Sequence, residues 1–189
     1  MSGFALHLLR HGAPERPGRL MGRTDDGPTA EGIAACMASA QGLAIARLVT
    51  SDLQRARRAA EAIARDLGLV PVTDPRWREL DFGDWDGCDP ATIDPGALAR
   101  FHADPEHAPP PGGERWSQLT ERVSAAIDAL APLPTLVVTH GGAMRAALHL
   151  LCGFDARQIW AFDLPCAALL SLRVWPGEKR FAQITGLRT

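Results

Sequence analysis

Two short apolar runs, each ending in a histidine followed by glycine, place the strongest constraint on how this chain can fold. The first run, Phe4–Leu9, leads into Arg10-His11-Gly12, and the second, Thr135–Thr139, leads into His140-Gly141-Gly142. A short apolar run that ends in a Gly turn is typical of a buried strand. Fully apolar strands occur where a sheet is covered on both faces. Both runs therefore predict central strands of an α/β sheet.

The rest of the chain alternates between predicted helices and strands. The predicted helices are Ala30–Leu43 after the N-cap Thr29, Leu53–Leu67 after the caps Ser51 and Asp52, Pro95–His102, Glu114–Leu130 and Ala143–Leu151. The other predicted strands are Leu48–Thr50, Val70–Pro75 and an antiparallel hairpin of Ala167–Trp175 and Arg180–Thr185. This order predicts a single domain over residues 1–189, a three-layer α/β/α sandwich with a mostly parallel central sheet and an antiparallel edge strand.

Composition removes several classes of function. The 22 acidic and 20 basic side chains give a net charge of −2, which does not favour nucleic acid as a partner. Lys179 is the only lysine and there is no tyrosine, so a Schiff base has one candidate and a tyrosine nucleophile has none. The four cysteines are too far apart for a zinc ribbon or a disulfide framework. Without a signal peptide or a membrane span, the chain is expected to be cytoplasmic and away from membranes.

The residues after the two strands suggest chemistry on an anion. A neutral His11 is a competent nucleophile near pH 7, and the guanidinium of Arg10 beside it matches phosphoryl oxygens. Arg55 lies at the beginning of a predicted helix, where anions are favoured. His140, if protonated, would stabilise charge that develops on the phosphoryl oxygens, and the amides of Gly141 and Gly142 could point at the same atoms.

A leaving alkoxide needs a proton, and four acidic side chains crowd one segment. They are Glu79, Asp81, Asp84 and Asp86. A carboxyl that is kept protonated by burial and by its neighbours would serve as the general acid. Composition alone does not choose among the four.

Six sequence blocks, in order, carry a family resemblance. They are Leu9-Arg10-His11-Gly12, Gly22-Arg23-Thr24-Asp25 with Pro28-Thr29-Ala30-Glu31-Gly32, Thr50-Ser51-Asp52-Leu53-Gln54-Arg55-Ala56, Glu79-Leu80-Asp81-Phe82-Gly83-Asp84-Trp85-Asp86-Gly87, Pro111-Gly112-Gly113-Glu114 and Val138-Thr139-His140-Gly141-Gly142. Together they resemble the histidine phosphatase superfamily, whose fold is also called phosphoglycerate mutase-like. The block from Glu79 to Gly87 is most similar to α-ribazole phosphatases of cobalamin assembly.

The resemblance implies a phosphomonoester hydrolase that works through a phosphohistidine and needs no metal or other cofactor. It implies His11 as the nucleophile, Glu79 as the proton donor, and Arg10, Arg55 and His140 as phosphate-binding residues. Arg23 and Thr24 are further candidates for phosphate or substrate contact. The implied substrate is a small phosphorylated metabolite, with α-ribazole 5′-phosphate as a candidate. The oligomeric state is not implied.

Three alternatives stay open at this point. A phosphoglycerate mutase would share the chemistry, but the family's mutases are longer chains with a basic insertion after the acidic block. Here the segment Cys88–Gly113 has one strong base, Arg100. A catalytically silent phospho-ligand binding protein would be expected to lack one of the site residues, and none is missing. A metal hydrolase is the weakest alternative, because His7 and His11 have ligand spacing but lie on a strand and its turn.

Overall fold

The structure, a computed structural model, describes residues 2–155 and 157–189. Its strands are β1 (Phe4–Arg10), β2 (Arg47–Thr50), β3 (Val72–Thr73), β4 (Thr135–Thr139), β5 (Leu169–Trp175) and β6 (Phe181–Arg188). Its α-helices are α1 (Ala30–Ala40), α2 (Gln54–Leu67), α3 (Pro95–Ala103), α4 (Trp116–Asp128) and α5 (Gly141–Cys152). Short 3₁₀ helices occur at Pro75–Trp77, Gly83–Trp85, Pro90–Thr92 and Gln158–Ala161. Every predicted strand and helix is present, although the predicted strand Val70–Pro75 shortens to two residues.

The strands form one sheet in the order β3-β2-β4-β1-β5-β6. Strands β1 to β4 run parallel, whereas β5 pairs antiparallel with β1 and the edge strand β6 pairs antiparallel with β5. The predicted mostly parallel sheet with antiparallel pairing at one edge is therefore confirmed. In the centre, Arg10 of β1 is level with Thr139 of β4. Because these two parallel strands end at the same level, the residues after them meet at the same edge of the sheet.

Two helical layers cover the sheet. Leu6 and Leu8 of β1 face one layer and belong to the core cluster that contains buried residues of α4 and α5. Leu9 faces the opposite layer and lies in a second cluster with buried residues of α1 and α2. Side chains alternate between the faces of a strand, so one apolar run serves both cores. Each fully buried leucine contributes roughly 1.5–3 kcal/mol relative to an exposed one.

The helix ends that border the site differ in how they are capped. The Thr29 hydroxyl accepts a hydrogen bond from the Gly32 N–H at 3.0 Å, which confirms the predicted cap of α1. Asp52 does not cap α2, because its carboxylate forms an ion pair with Arg78. Asp25 takes that place, since its Oδ1 accepts from the Gln54 N–H at 2.6 Å. The loop that contains Asp25 is thereby attached to the first turn of α2.

Among the described residues, none of the helices combines the length and the apolar character that crossing a bilayer would need.

Candidate active site

His11 directly follows β1 and is held in a single orientation. Its Nδ1 lies 2.8 Å from the carbonyl oxygen of Gly12. Because a carbonyl oxygen only accepts, Nδ1 carries the ring proton and Nε2 holds the lone pair. The His11 N–H donates to the Thr139 carbonyl at 2.8 Å, and the Ala167 N–H donates to the His11 carbonyl at 3.1 Å. The nucleophile expected from the sequence is therefore fixed with its unprotonated nitrogen available.

Two backbone features hold the His11 turn in place. Gly12 lies so close to α1 that a Cβ atom there would be 2.0 Å from the Gly32 carbonyl oxygen, so a side chain is not accommodated. Ala167 has φ +63°, a left-handed conformation that costs free energy for a residue with a Cβ. Strain of this kind persists where the surroundings impose it, and here it accompanies the hydrogen bond to His11.

His140 follows β4 and lies beside His11, with the two ring centroids 5.1 Å apart. The Arg55 Nε donates to His140 Nδ1 at 3.2 Å. Since Nδ1 accepts, the neutral ring carries its proton on Nε2. That Nε2 is buried and has no hydrogen-bond partner among the residues that the structure describes. His140 therefore presents a donor that lacks an acceptor.

Both histidines are uncharged near neutral pH. Burial, followed by the positive charges of Arg55 and Arg10, lowers the pKa of His11 to about 3. Burial and Arg55 also lower the pKa of His140 well below its usual value. A neutral His140 donates through Nε2 without being protonated first, which differs from the protonated form considered from the sequence. A neutral His11 retains the lone pair that nucleophilic attack requires.

These pKa directions predict how acid acts on the folded protein. The unfolded chain binds protons on these histidines below pH 6.5, whereas folded His11 does so only near pH 3. Stability that is present above pH 6.5 is therefore lost as the pH falls, by up to about 1.4 kcal/mol per pH unit for each histidine. We expect ¹⁵N NMR to show no protonation of His11 between pH 7 and 5. Urea unfolding should show a free energy of unfolding that decreases as the pH falls below 6.5. A His11 titration midpoint near pH 6.5 in the folded protein would contradict this expectation. His11→Asn should reduce the pH dependence of the free energy of unfolding by the contribution of one histidine.

Arg55 is fully buried and is mostly committed to the protein itself. Its Nη1 donates to the Thr24 carbonyl at 2.8 Å, and its Nη2 donates to the carbonyls of Met21 and Gly22 at 2.7 and 3.0 Å. With Nε bonded to His140, one of the five N–H groups is left, on Nη1. Arg55 thus connects the loop at residues 21–24 to His140, which lies beside His11. Its contact with phosphate stays a prediction that rests on that last donor.

Arg10 is the more available of the two predicted guanidinium groups. Its Nη1 donates to the Leu164 carbonyl at 2.6 Å. Its Nε is buried and finds no acceptor within the described part of the chain. A buried guanidinium N–H without an acceptor is costly unless a ligand supplies one. The geometry suits an anion next to His11.

Glu79 is the only one of the four candidate acids that lines the cavity described below. Its Oε1 accepts from the N–H groups of Leu80 at 2.8 Å and Gly142 at 2.9 Å, which leaves Oε2 with one longer contact to Gly142 at 3.2 Å. Arg122 of α4 holds the backbone there, because it donates to the Glu79 carbonyl and pairs with Glu114 at 2.7 Å. The Gly142 amide is therefore directed at Glu79 and not at the phosphoryl oxygens, contrary to the expectation from the sequence.

Of the other three carboxylates, two have structural contacts and one is exposed. Asp86 accepts from three successive backbone N–H groups, at residues 22, 23 and 24. Asp81 accepts from the Gly83 N–H and from Arg23. Partial burial opposes the ionisation of Asp81, but these two donors outweigh it and leave its pKa below the usual range. Asp84 is exposed to solvent. None of the three is placed to donate a proton in the cavity.

The cavity at this edge of the sheet has two adjoining halves, whose linings share Arg10, Leu20, Glu79 and Phe82. The catalytic half, about 250 Å³, contains His11 and is lined by residues 13, 14 and 17–21 and by Cys166. The apolar chamber, about 180 Å³, extends from Gly141 to the residues Phe101, Trp116, Leu119, Ile159 and Trp160. Segments Ala13–Pro28 and Cys88–Gly113 both contribute walls, and the segment around Trp160 adds a third.

Arg145 is a residue of the site that the sequence reasoning missed. It follows Gly141 by one helical turn of α5, and its Nη1 lies 3.1 Å from the position that a Cβ on Gly141 would occupy. The guanidinium carbon is 4.4 Å from the centre of the Trp160 ring, which is a cation–π distance. Its buried Nε is without an acceptor among the described residues. The signal in the sequence was the spacing: residues four apart lie on the same face of a helix, so Arg145 lies on the same face as Gly141.

Arg23 and Thr24 are placed differently from the other candidates. The Arg23 side chain pairs with Asp81 at 3.1 Å and borders a separate shallow groove. Thr24 contributes its backbone, with its N–H bonded to Asp86 and its carbonyl to Arg55. Contact of either side chain with a substrate stays a prediction. The described residues contain no cluster of three or more His, Cys, Asp or Glu side chains arranged for a metal ion.

Known proteins resemble this chain over most of its length. Residues 6–185 match the histidine phosphatase superfamily (branch 1). A probable phosphoglycerate mutase GpmB of Cronobacter sakazakii is 31% identical over 163 residues, covering 80% of this chain and 76% of that protein. A mycobacterial glucosyl-3-phosphoglycerate phosphatase has a similar structure, with a TM-score of 0.85, 28% identity and 97% of both chains covered.

A putative α-ribazole-5′-P phosphatase from Escherichia coli also has a similar structure, with a TM-score of 0.83 and 26% identity, covering 98% of this chain and 96% of that one. The family match spans both histidine turns and the sheet that holds them. The chain belongs to the histidine phosphatase superfamily.

Proposed function

We propose that the protein hydrolyses phosphomonoesters through a phosphohistidine at His11 Nε2, without a metal ion. One observation carries the proposal. The Gly12 carbonyl holds the proton of His11 on Nδ1, so that a neutral ring presents its Nε2 lone pair in the wall of a cavity that Arg10 and Glu79 also line. The similar structures named as phosphatases support hydrolysis as the outcome.

In the first half-reaction the His11 Nε2 lone pair forms a bond to phosphorus, and the bond between phosphorus and the ester oxygen breaks. The leaving oxygen takes a proton from Glu79, whose Oε2 has the weaker of the carboxyl group's contacts. The Nε2–H of His140, unpaired N–H groups of Arg10 and the one remaining Nη1–H of Arg55 bind the phosphoryl oxygens. Donors that are already oriented stabilise charge in the transition state at little reorganisation cost. The bond from Nδ1 to Gly12 stays in place throughout.

In the second half-reaction water attacks the phosphorus of the phosphohistidine. Glu79, now deprotonated, accepts a proton from that water, and the P–N bond breaks to return neutral His11 and inorganic phosphate. The same carboxyl acts as acid and then as base, as microscopic reversibility allows. No step in this sequence requires a metal ion.

The candidate substrate is α-ribazole 5′-phosphate, which would place the reaction in cobalamin biosynthesis in the cytoplasm. Its support is the similarity of the Glu79–Gly87 block to α-ribazole phosphatases and the similar Escherichia coli structure. A panel of α-ribazole 5′-phosphate, glucosyl-3-phosphoglycerate, phosphoglycerates, sugar phosphates and nucleotides, compared by kcat/KM, tests this choice. A higher kcat/KM for any other panel member would reject it.

A phosphoglycerate mutase is the second candidate, because the similar curated relative carries that name. A mutase must hold a carboxylate beside the phosphoryl group and keep water from the phosphohistidine. The segment Cys88–Gly113 supplies one strong base, Arg100. Interconversion of 2- and 3-phosphoglycerate faster than phosphate release would identify a mutase, and the reverse order would identify a phosphatase. A silent binding protein would do neither.

Metal independence gives a direct test of the proposed chemistry. With 4-nitrophenyl phosphate as substrate, we expect kcat/KM to be the same before and after dialysis against a chelator, because the phosphoryl charge is met by guanidinium and imidazole groups. Buffer without chelator is the matched control. Activity that disappears on dialysis and returns with a divalent cation would overturn this part of the proposal.

A further inference from the structure

We propose that the apolar chamber selects phosphomonoesters whose leaving group is neutral, flat and aromatic. The inference rests on the proposed function, and it narrows the substrate class of that same site. It concerns the part of the substrate that departs with the ester oxygen, and it disfavours small hydroxy acids and polyols that carry no aromatic ring as leaving groups.

The chamber begins where the leaving oxygen has to be. Glu79 belongs to both halves of the cavity, so the proton donor stands at the boundary between the catalytic half and the chamber. A phosphoryl group next to His11 with its ester oxygen near Glu79 directs the leaving group away from His11. The space in that direction is the chamber.

The walls of the chamber are mostly hydrocarbon. Beyond Glu79 they are formed by Phe82, Phe101, Trp116, Leu119 and Trp160. Phe82 and Phe101 meet edge to face, with centroids 6.1 Å apart. Apart from Arg145 and His102, a carboxylate or a row of hydroxyl groups that entered this space would find few hydrogen-bond partners to replace water, which is unfavourable. An aromatic ring would lose little and would contact rings on several sides.

The polar groups of the chamber lie toward the phosphoryl end and the rim. Arg145 Nη1 and the Arg10 guanidinium both lie within 4 Å of the Cβ position of Gly141, so they flank the same point. One face of the Arg145 guanidinium is covered by Trp160. His102 lines the chamber beside Trp160, and burial together with Arg145 lowers its pKa, so it adds no charge near neutral pH. The guanidinium groups of Arg10 and Arg145 therefore lie at the phosphoryl end, and the rest of the leaving group contacts apolar walls.

The size of the chamber fits this class of leaving group. An engineered apolar cavity of about 150 Å³ in another protein holds benzene. The chamber here measures about 180 Å³, so a single ring fits and a fused pair of rings would reach the boundary with the catalytic half. The exposed side of Trp160, which is 44% accessible, leaves the rim open for the rest of a larger molecule.

The test compares substrates whose alcohols have similar acidity, so that differences report on binding and not on leaving-group chemistry. We expect kcat/KM for benzyl phosphate to exceed that for glycerol 1-phosphate and for 3-phosphoglycerate by about 10- to 100-fold, as the burial of one ring predicts. Benzylphosphonate, which cannot be hydrolysed, should inhibit more strongly than methylphosphonate by a similar factor. The inhibition measurement does not depend on any variant being folded.

Trp160→Ala, measured against Trp175→Ala, assigns the preference to the chamber. Trp160 is a chamber wall, whereas Trp175 is at the other end of β5, next to the beginning of β1. We expect Trp160→Ala to lower the ratio of the two kcat/KM values for benzyl phosphate and glycerol 1-phosphate by about fivefold or more, since part of the buried ring area is lost. Trp175→Ala should leave the ratio unchanged.

The failure of this inference is distinguishable from the failure of the proposed function. If 3-phosphoglycerate or glycerol 1-phosphate equals or exceeds benzyl phosphate, the inference is wrong while phosphatase activity through His11 stands. A ratio unchanged in Trp160→Ala would likewise overturn it. If no phosphomonoester is turned over and no phosphonate inhibits, the proposed function itself fails.

Discussion

His11→Ala is expected to lower kcat/KM for every phosphomonoester by about 10⁴- to 10⁶-fold, the scale seen when the nucleophile of a hydrolase is removed. Alanine cannot form the P–N bond, and the remaining donors bind phosphate without a group to receive it. The fold should persist, because the backbone bonds of His11 to Thr139 and Ala167 do not involve its ring. Steady-state kinetics with 4-nitrophenyl phosphate, together with the far-UV circular dichroism spectrum, measure both expectations.

The matched control for His11→Ala is His107→Ala. His107 is exposed and contacts only Asp104 among the side-chain partners that the structure describes. Its replacement should leave kcat/KM at the wild-type value. If His11→Ala kept more than a small percentage of the wild-type activity while remaining folded, His11 would not be the nucleophile. His140, whose ring lies 5.1 Å away, would then be the next residue to replace.

Glu79→Gln is the second large effect, with an expected loss of about 10²- to 10⁴-fold, the usual contribution of a general acid. Glutamine keeps the size of the side chain and an oxygen that can accept from the Leu80 and Gly142 amides, but it carries no transferable proton. The loss should be greater for benzyl phosphate than for 4-nitrophenyl phosphate, because nitrophenolate leaves without a proton. The measurement is the pair of kcat/KM ratios for the two substrates.

Two further variants sharpen the assignment of Glu79. Asp81→Asn removes a carboxylate that lies two residues after Glu79 and faces Arg23 and not the cavity, so turnover should stay near the wild-type value. Gly142→Ala should resemble Glu79→Gln, because the new Cβ would be 2.1 Å from Glu79 Oε1 and would displace it. If Glu79→Gln were fully active toward benzyl phosphate and Asp81→Asn were inactive, the general acid would be Asp81.

The sequence predicted the parts of the site that depend on local pattern. Apolar runs followed by His-Gly predicted β1 and β4, and parallel neighbours in a sheet bring the residues after their ends together. The structure places His11 beside His140 for this reason, and the family match confirms the resemblance that was based on the motif blocks. Local sequence patterns were therefore sufficient to predict these two strands and the residues that meet at their ends.

The remainder of the site depends on tertiary contacts between segments that are distant in the sequence. Arg145 belongs to the site because Trp160, from a later segment, covers its guanidinium. Asp25 provides the N-terminal contact of α2 from another loop, which no local rule indicates. Likewise, the three carbonyl partners of Arg55 depend on where the loop at residues 21–24 lies. Besides its predicted role as a phosphate ligand, Arg55 therefore holds this loop in place.

The covalent intermediate is the central claim, and rapid quenching with a ³²P-labelled phosphomonoester tests it most directly. Within one turnover, the account predicts label on the wild-type protein that is stable to base and labile to acid, located in the peptide that contains His11. The label should be absent from His11→Ala. With 4-nitrophenyl phosphate, whose leaving group needs no proton, it should accumulate in Glu79→Gln, because only the attack of water is then slowed. Label that is stable to acid, that lies on another residue, or that never forms while phosphate is released would contradict the account.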